Sequence, residues 1–217
     1  ELRTVRQKYF DPLMGQKGKD RLKKEFNTIS VELLNMSHKL ITLKLLDADF
    51  ANKINNWDPF DDSRPAPFFN KSWMFGVEDG FDIVIGNPPY VQIQSFSGQP
   101  VQKQWEAQKY ATYVKTCDIY CLFYERGFNL LSPHGVLTYI TSNKWMRAAY
   151  GAKLREFFAN HSPQTLIDFG GYQVFESATV DTNILILRKV MPDSNKTPLQ
   201  AIGIEKDFAA NTDIADY

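Results

Sequence analysis

Residues Phe81-Asp82-Ile83-Val84-Ile85-Gly86 form a nearly all-apolar run that stops at two consecutive prolines, Pro88 and Pro89. The run is too short for a stable helix, and the prolines forbid extending it. Such a run suits a strand buried on both faces, as in a parallel sheet. Three more runs share its character: Val136–Thr141, entered through Pro133-His134-Gly135; Thr165–Phe169, ended by Gly170-Gly171; and Asn183–Arg188. Between them lie helical patterns over roughly 101–115, 118–131 and 150–160. Alternating strands and helices predict an α/β layout with a parallel core. The last two runs have no obvious helix between them, so an antiparallel pair closing one edge is expected.

The chain before this sheet reads differently. Leu22, Phe26, Ile29, Leu33, Leu34, Leu40, Leu43 and Leu46 recur at three- and four-residue spacing, which predicts a helix over 19–46. A shorter helix over 3–10 would stop at Asp11-Pro12. Residues 55–80 are rich in Pro and Asp and read as irregular, with Phe68, Phe69, Trp73 and Phe75 expected to staple the loop to the body. After Lys189, the stretch Met191–Pro198 reads as a linker, and the tail beyond it is weakly patterned. The expected organisation is a helical arm over 1–54, a sheet-bearing region over 55–190, and a linker or the start of a further region over 191–217.

Composition narrows the possibilities. A 217-residue chain can bury roughly 70% of its unfolded surface, and 43% hydrophobic with 14% aromatic residues excludes disorder throughout. No apolar run approaches the ~20 residues of a membrane span, and no signal peptide opens the chain, so a cytoplasmic protein is expected. The 25 bases and 25 acids cancel, but not locally. Residues 1–24 carry a net +5 (Arg3, Arg6, Lys8, Lys17, Lys19, Arg21, Lys23, Lys24 against three acids), and residues 47–82 a net −5. The basic stretch could touch phosphates or simply be a solvated helix face. Cys117 and Cys121 cannot build a disulfide framework or a zinc site by themselves; buried thiols are the plain reading, and no metal is expected. His38, His134 and His161 have no catalytic neighbour in sequence.

The chemistry is concentrated in Asn87-Pro88-Pro89-Tyr90. In open α/β sheets ligands bind at the carboxyl ends of strands, which is where this tetrapeptide falls. The prolines hold the backbone extended, remove two N–H donors and leave carbonyls free to accept. Asn87 adds a side-chain acceptor and Tyr90 a flat face. Together these suit a planar group bearing an NH₂: two acceptors for the amine, an aromatic ring for the plane.

Gly80 through Tyr90 resembles motif IV of S-adenosylmethionine-dependent N6-adenine DNA methyltransferases. Asp118-Ile119-Tyr120 at a helix start is similar to the next motif of that family, and Leu130 through Trp145 to the strand motif after it. Asp168-Phe169-Gly170-Gly171 through Val174-Phe175, with Ala178 through Asn183, resembles the closing hairpin. Order and spacing are similar to the methylase part of large type II enzymes in which restriction and modification share one polypeptide, and to related phage-defence methylases. The resemblance covers about residues 55–190. It implies part of a Rossmann-like sheet, its later strands only, behind an N-terminal helical arm. It implies double-stranded DNA as partner, an endonuclease region in the same polypeptide, and S-adenosylmethionine as cofactor. By the same resemblance the target adenine is flipped out; Asn87 and the Pro88 carbonyl accept from its N6, Tyr90 stacks on its face, and Phe175 packs from another side. Asp118 would line the cofactor pocket. The plain readings are a core residue for Phe175 and a helix cap or first-turn acid for Asp118.

The resemblance is incomplete. The family's Gly-rich loop and ribose-binding acid have no counterpart here, nor do an endonuclease carboxylate set (Pro192-Asp193 with Glu205-Lys206 lacks the spacing) or a separate target reader. The expectation is a catalytic half whose cofactor half precedes Glu1, inactive in isolation, with a bare sheet edge open to dimerisation. Two other classes share features: glutamine methyltransferases of release factors, which carry the same tetrapeptide, and a non-catalytic DNA-binding or assembly module on the same fold.

Overall fold

The computed structural model describes residues 1–204 apart from 46, 62, 65, 177–179 and 191–197, and the side chains of Arg3, Phe50 and Trp73 are likewise outside the description. Leu46 of the helical pattern, Trp73 of the aromatic cluster, Ala178-Thr179 of the closing hairpin, and most of the linker and tail therefore lie outside the described residues.

The chain forms two compact units, the first Glu1–Glu78 and the second beginning at Asp79. The first is helical: α1 Leu2–Tyr9, α2 Gln16–Thr42, α3 Ala48–Asn55 and α4 Lys71–Phe75. The apolar spacing read from sequence becomes a packed face only in the front half of α2. There Leu22 and Phe26 bury against Val5 of α1, with Tyr9, Met14, Ile29 and Phe60 around them. Farther along α2, Val31, Met36 and the residue Leu43 that caps the helix are exposed. The staple between the irregular segment and the helices is Phe60, edge-on to Phe26 at 5.0 Å and 4.3 Å from Tyr9. Of the aromatics expected in that role, Phe69 and Phe75 stand 5.9 Å apart and are about half exposed. Helices thus extend past residue 54, and the helical and irregular segments belong to one unit.

The second unit is an α/β sheet. Its elements are β1 Phe81–Gly86, α5 Pro100–Ala107, α6 Tyr120–Leu130, β2 Leu131–Ser142, α7 Ala152–Ala159, β3 Ser162–Asp168, β4 Thr182–Arg188 and β5 Gln200–Gly203. The order is β1-β2-β4-β3-β5. β1 pairs parallel with β2, β4 runs antiparallel to both β2 and β3, and β5 pairs parallel with β3. The α/β class and the antiparallel pair match expectation, but the pair does not close the edge. β4 sits inside the sheet, and β5, from the weakly patterned tail, lies outside β3.

Three local differences have physical causes. β1 is not buried on both faces: among the described residues it pairs only with β2, and Ile83 and Ile85 are 67% and 78% exposed. β2 starts five residues early, because Leu131 pairs with Phe81 before the register jumps to Val136 opposite Ile83. The helix expected over 101–115 ends at Ala107, because Lys109 turns left-handed (φ 52°) and the Glu125 carboxylate takes the N–H groups of Ala111 and Thr112.

The core lies between α6, α7 and β2. Tyr120, Cys121, Tyr124 and Phe128 of α6 bury against Leu137 and Tyr139 of β2 and against Leu154, Phe157 and Phe158 of α7. Each fully buried large side chain stabilises by about 1.5–3 kcal/mol relative to exposure. Gly80 is required at the start of β1: its φ is +133°, and a Cβ there would lie 2.4 Å from the Leu131 backbone.

Candidate active site

Asn87-Pro88-Pro89-Tyr90 leaves the carboxyl end of β1 without regular structure. Asn87 and Pro89 are exposed, Pro88 is buried and Tyr90 is half-buried. The side chain of Asn87 is thus free to meet a ligand, while the peptide unit behind it is held by the body of the unit. Tyr90 reaches over the sheet and its hydroxyl donates to the Ile140 carbonyl of β2 at 3.3 Å. Its ring forms a T-shaped pair with that of Tyr120, with centroids 6.3 Å apart and planes at 89°. Burial raises the Tyr90 pKa, so its hydroxyl keeps its proton and remains a donor.

The carboxyl ends of the other strands parallel to β1 add polar groups. Beyond β2, the Asn143 side-chain amide donates to Asp168 Oδ1 at 2.8 Å, and the same oxygen accepts from the Gly170 N–H at 3.0 Å. Asp168 ends β3, so this contact ties the ends of two strands together. Asn143 and Asp168 both stand in motifs visible in the sequence, but their pairing needs β4 to bring β2 and β3 into one sheet.

Asp118 is buried and does not cap a helix. The cap position of α6 is Ile119, and the Asp118 Oδ2 instead accepts from the Tyr150 hydroxyl at 2.8 Å. Tyr150 stands 3.0 Å, oxygen to oxygen, from the hydroxyl of Tyr120. Sequence reading passed over Tyr120 and Tyr150 as partners of Asp118, although Tyr120 belongs to the Asp-Ile-Tyr signal itself. Phe175 lies half-buried on the β3–β4 connection, its carbonyl accepting from Gln173 Nε2 at 3.0 Å. Among the described residues its ring makes no contact with Tyr90.

The remaining candidates are structural. Cys117 and Cys121 are free and fully buried, and a shared hydrogen bond with burial pushes the Cys121 thiol up. His161 bonds the Phe157 carbonyl at 2.6 Å and packs against Phe128 and Phe157. The backbone of His134 donates to the Lys189 carbonyl at 2.7 Å. Among the described residues no group of three His, Cys, Asp or Glu could hold a metal, and no helix is long and apolar enough to cross a membrane.

The family model described as Eco57I restriction-modification methylase matches residues 12–175. The chain belongs to that family. The match runs from just after α1 through Tyr90 and Asp118 to Phe175. Relatives include the type II restriction enzyme and methyltransferase RM.Eco57I of Escherichia coli, 35% identical over 116 residues, or 52% of this chain and 12% of that protein. The type II methyltransferase M.BstVI of Geobacillus stearothermophilus is 33% identical over 98 residues, covering 45% and 17%. The type II methyltransferase M.XhoI of Xanthomonas vasicola is 31% identical over 120 residues, covering 54% and 22%. This Eco57I-family chain therefore matches less than a quarter of the length of each of these relatives.

Proposed function

We propose that this chain carries the target-base side of a DNA methyltransferase that modifies adenine N6 within a restriction-modification system. The observation that carries the reading is the tetrapeptide: an exposed amide at Asn87, two prolines fixing the backbone, and an aromatic face at Tyr90 anchored by Ile140 and Tyr120. A base in the duplex hides its N6 in the stack, so the target would be rotated out. The Asn87 side-chain carbonyl and the Pro88 carbonyl would accept from the amine, favouring a nucleophilic lone pair. Tyr90 would stack on the ring, a contact worth ~1–3 kcal/mol per base, and Phe175 would close the opposite side.

S-adenosylmethionine would supply an electrophilic sulfonium methyl. Asp118, expected to line its pocket, is buried with its Oδ2 accepting from the Tyr150 hydroxyl, so it would act there by positioning Tyr150 rather than as a free carboxylate. The DNA backbone would meet the solvent face of α2. Lys17, Arg21 and Lys24 are exposed there at helical spacing on one side, with opposite charge to the phosphates.

The test uses the full-length parent protein with methyl-labelled S-adenosylmethionine and mixed-sequence duplex DNA, beside Asn87→Ala. Label recovered as N6-methyladenine, and lost in the variant, supports the reading. Cofactor binding without label on DNA refutes it and points to a protein amide as acceptor.

A further inference from the structure

We propose that Asp118, Tyr150 and Tyr120 form a positioning chain that holds the ring of Tyr90 in the orientation a planar base needs. The inference rests on the methyltransferase reading above. A carboxylate only accepts, so the single hydroxyl proton of Tyr150 goes to Asp118 Oδ2 at 2.8 Å. The Tyr150 oxygen can then only accept, and its neighbour at 3.0 Å, the Tyr120 hydroxyl, must donate to it. The order is therefore fixed as Tyr120 to Tyr150 to Asp118. Burial raises the pKa of both tyrosines, which keeps both protons in place.

The backbone ties the segment carrying Tyr90 to the segment carrying Asp118 and Tyr120. The segment just after Tyr90 is stitched to the segment carrying Asp118: Ile119 N–H donates to the Val91 carbonyl at 2.8 Å and Ile93 N–H to the Cys117 carbonyl at 2.9 Å, around the bridge between Gln92 and Asp118. Tyr120, fully buried at the first position of α6, packs against Tyr90 in a T-shaped pair, centroids 6.3 Å apart and planes at 89°. With the Tyr90 hydroxyl on Ile140, the ring is held at its tip and against the Tyr120 ring, and its partial exposure leaves room for a ligand. A pair of phenylalanines would fill the same core volume without a buried acid. Burying the Asp118 carboxylate and the Tyr120 phenol is the more expensive solution, and it is the one that dictates a single orientation.

The experiment is a double-mutant cycle in the full-length parent protein, read as the single-turnover rate of methyl transfer to mixed-sequence duplex DNA at saturating cofactor. Tyr150→Phe removes the central hydroxyl and keeps the ring. It is expected to lower the rate about tenfold while leaving cofactor affinity within about twofold, and to have no further effect in a Tyr90→Ala background. Asp118→Asn, which still offers an oxygen to Tyr150, is expected to retain most activity, whereas Asp118→Ala falls with Tyr150→Phe. Tyr150→Phe at the wild-type rate, or acting by the same factor with and without the Tyr90 ring, overturns the positioning role while the methyltransferase reading stands. A parent that transfers no methyl to DNA overturns both.

Discussion

Asn183 offers the sharpest test of how the sheet is held behind the site. It is fully buried on β4, and its Oδ1 accepts from the Trp145 indole at 3.0 Å and from the Thr141 hydroxyl at 3.3 Å. Tyr124 completes the cluster, its hydroxyl 3.0 Å from that of Thr141. Asn183→Ala removes the shared acceptor. The Trp145 N–H, on a side chain 6% exposed, is left without a partner, which costs about 1–3 kcal/mol. Thr141 and Tyr124 can still bond to one another, but one of their two hydroxyl protons is stranded, adding roughly 1 kcal/mol. Against this, Asn183 Nδ2 finds no partner among the described residues, so deleting it returns about 1 kcal/mol or more. The net expectation is a loss of about 1–3 kcal/mol, a roughly fivefold to 150-fold rise in the opening equilibrium.

Amide hydrogen exchange by mass spectrometry reads this directly. Peptides covering Leu137–Thr141 and Ile184–Leu187, on paired strands, should exchange faster by that factor, while peptides from the helical unit should not change. Combining Asn183→Ala with Trp145→Phe removes donor and acceptor together and should recover about 1 kcal/mol or more of coupling. Exchange in β2 and β4 within threefold of wild type would refute the reasoning, since the unpaired indole would then carry no penalty.

Four further outcomes are expected. Gly127→Ala would place a Cβ 2.4 Å from the Tyr139 hydroxyl and 2.6 Å from Leu137 Cδ1; the overpacking, about 1–3 kcal/mol, should exceed the roughly 1 kcal/mol gained in helix propensity, lowering the melting temperature of the sheet unit. Tyr90, Tyr120, Tyr124, Tyr139 and Tyr150 all have raised pKa values, mainly through burial. Their contribution is full below the unfolded value near 10 and is lost as pH rises through the folded values, so urea midpoints should fall above about pH 10, and less steeply in Tyr124→Phe. Replacing Lys17, Arg21 and Lys24 together by Ala should reduce the slope of log affinity for duplex DNA against log salt by about 0.9 for each phosphate no longer neutralised, leaving methyl transfer at saturating DNA intact; an unchanged slope removes α2 from the interface. Tyr90→Ala should weaken binding of DNA carrying an unpaired target adenine by about 1–3 kcal/mol, whereas Tyr90→Phe, which keeps the ring, should lose much less.

Some of this was legible in residue order because its physics is local. The run from Phe81 to Gly86 and the prolines behind it restrict φ and hydrogen bonding within a few residues of themselves, so strand, loop and the place of Asn87 could be read without knowing the partners. The antiparallel relation of β3 and β4 followed from the missing helix between them. What could not be read depends on pairing. The insertion of β4 between β2 and β3, the fifth strand at Gln200–Gly203, and the one-sided burial of β1 are set by neighbours distant in the chain. The end of α5 at Ala107 was hidden for the same reason, since the carboxylate that stabilises the turn after it comes from Glu125 on the next helix.

The candidate site divides along the same line. Asn87 and Tyr90 are recognisable because their chemistry is carried by one tetrapeptide. The groups behind Tyr90 come from three places, Asp118 and Tyr120 at the start of α6, Tyr150 before α7 and Ile140 on β2. Each of these, taken alone, has an ordinary explanation: an acid near a helix start, an aromatic in a core, a strand carbonyl. Only the fold turns Asp118 from a candidate cap or ligand into the end of a hydrogen-bond chain leading to the residue proposed to hold the base. The accessible tetrapeptide and the buried groups that orient it are therefore different kinds of information. The first supports a substrate class, and the second is where a rate could be lost with every proposed base contact still in place.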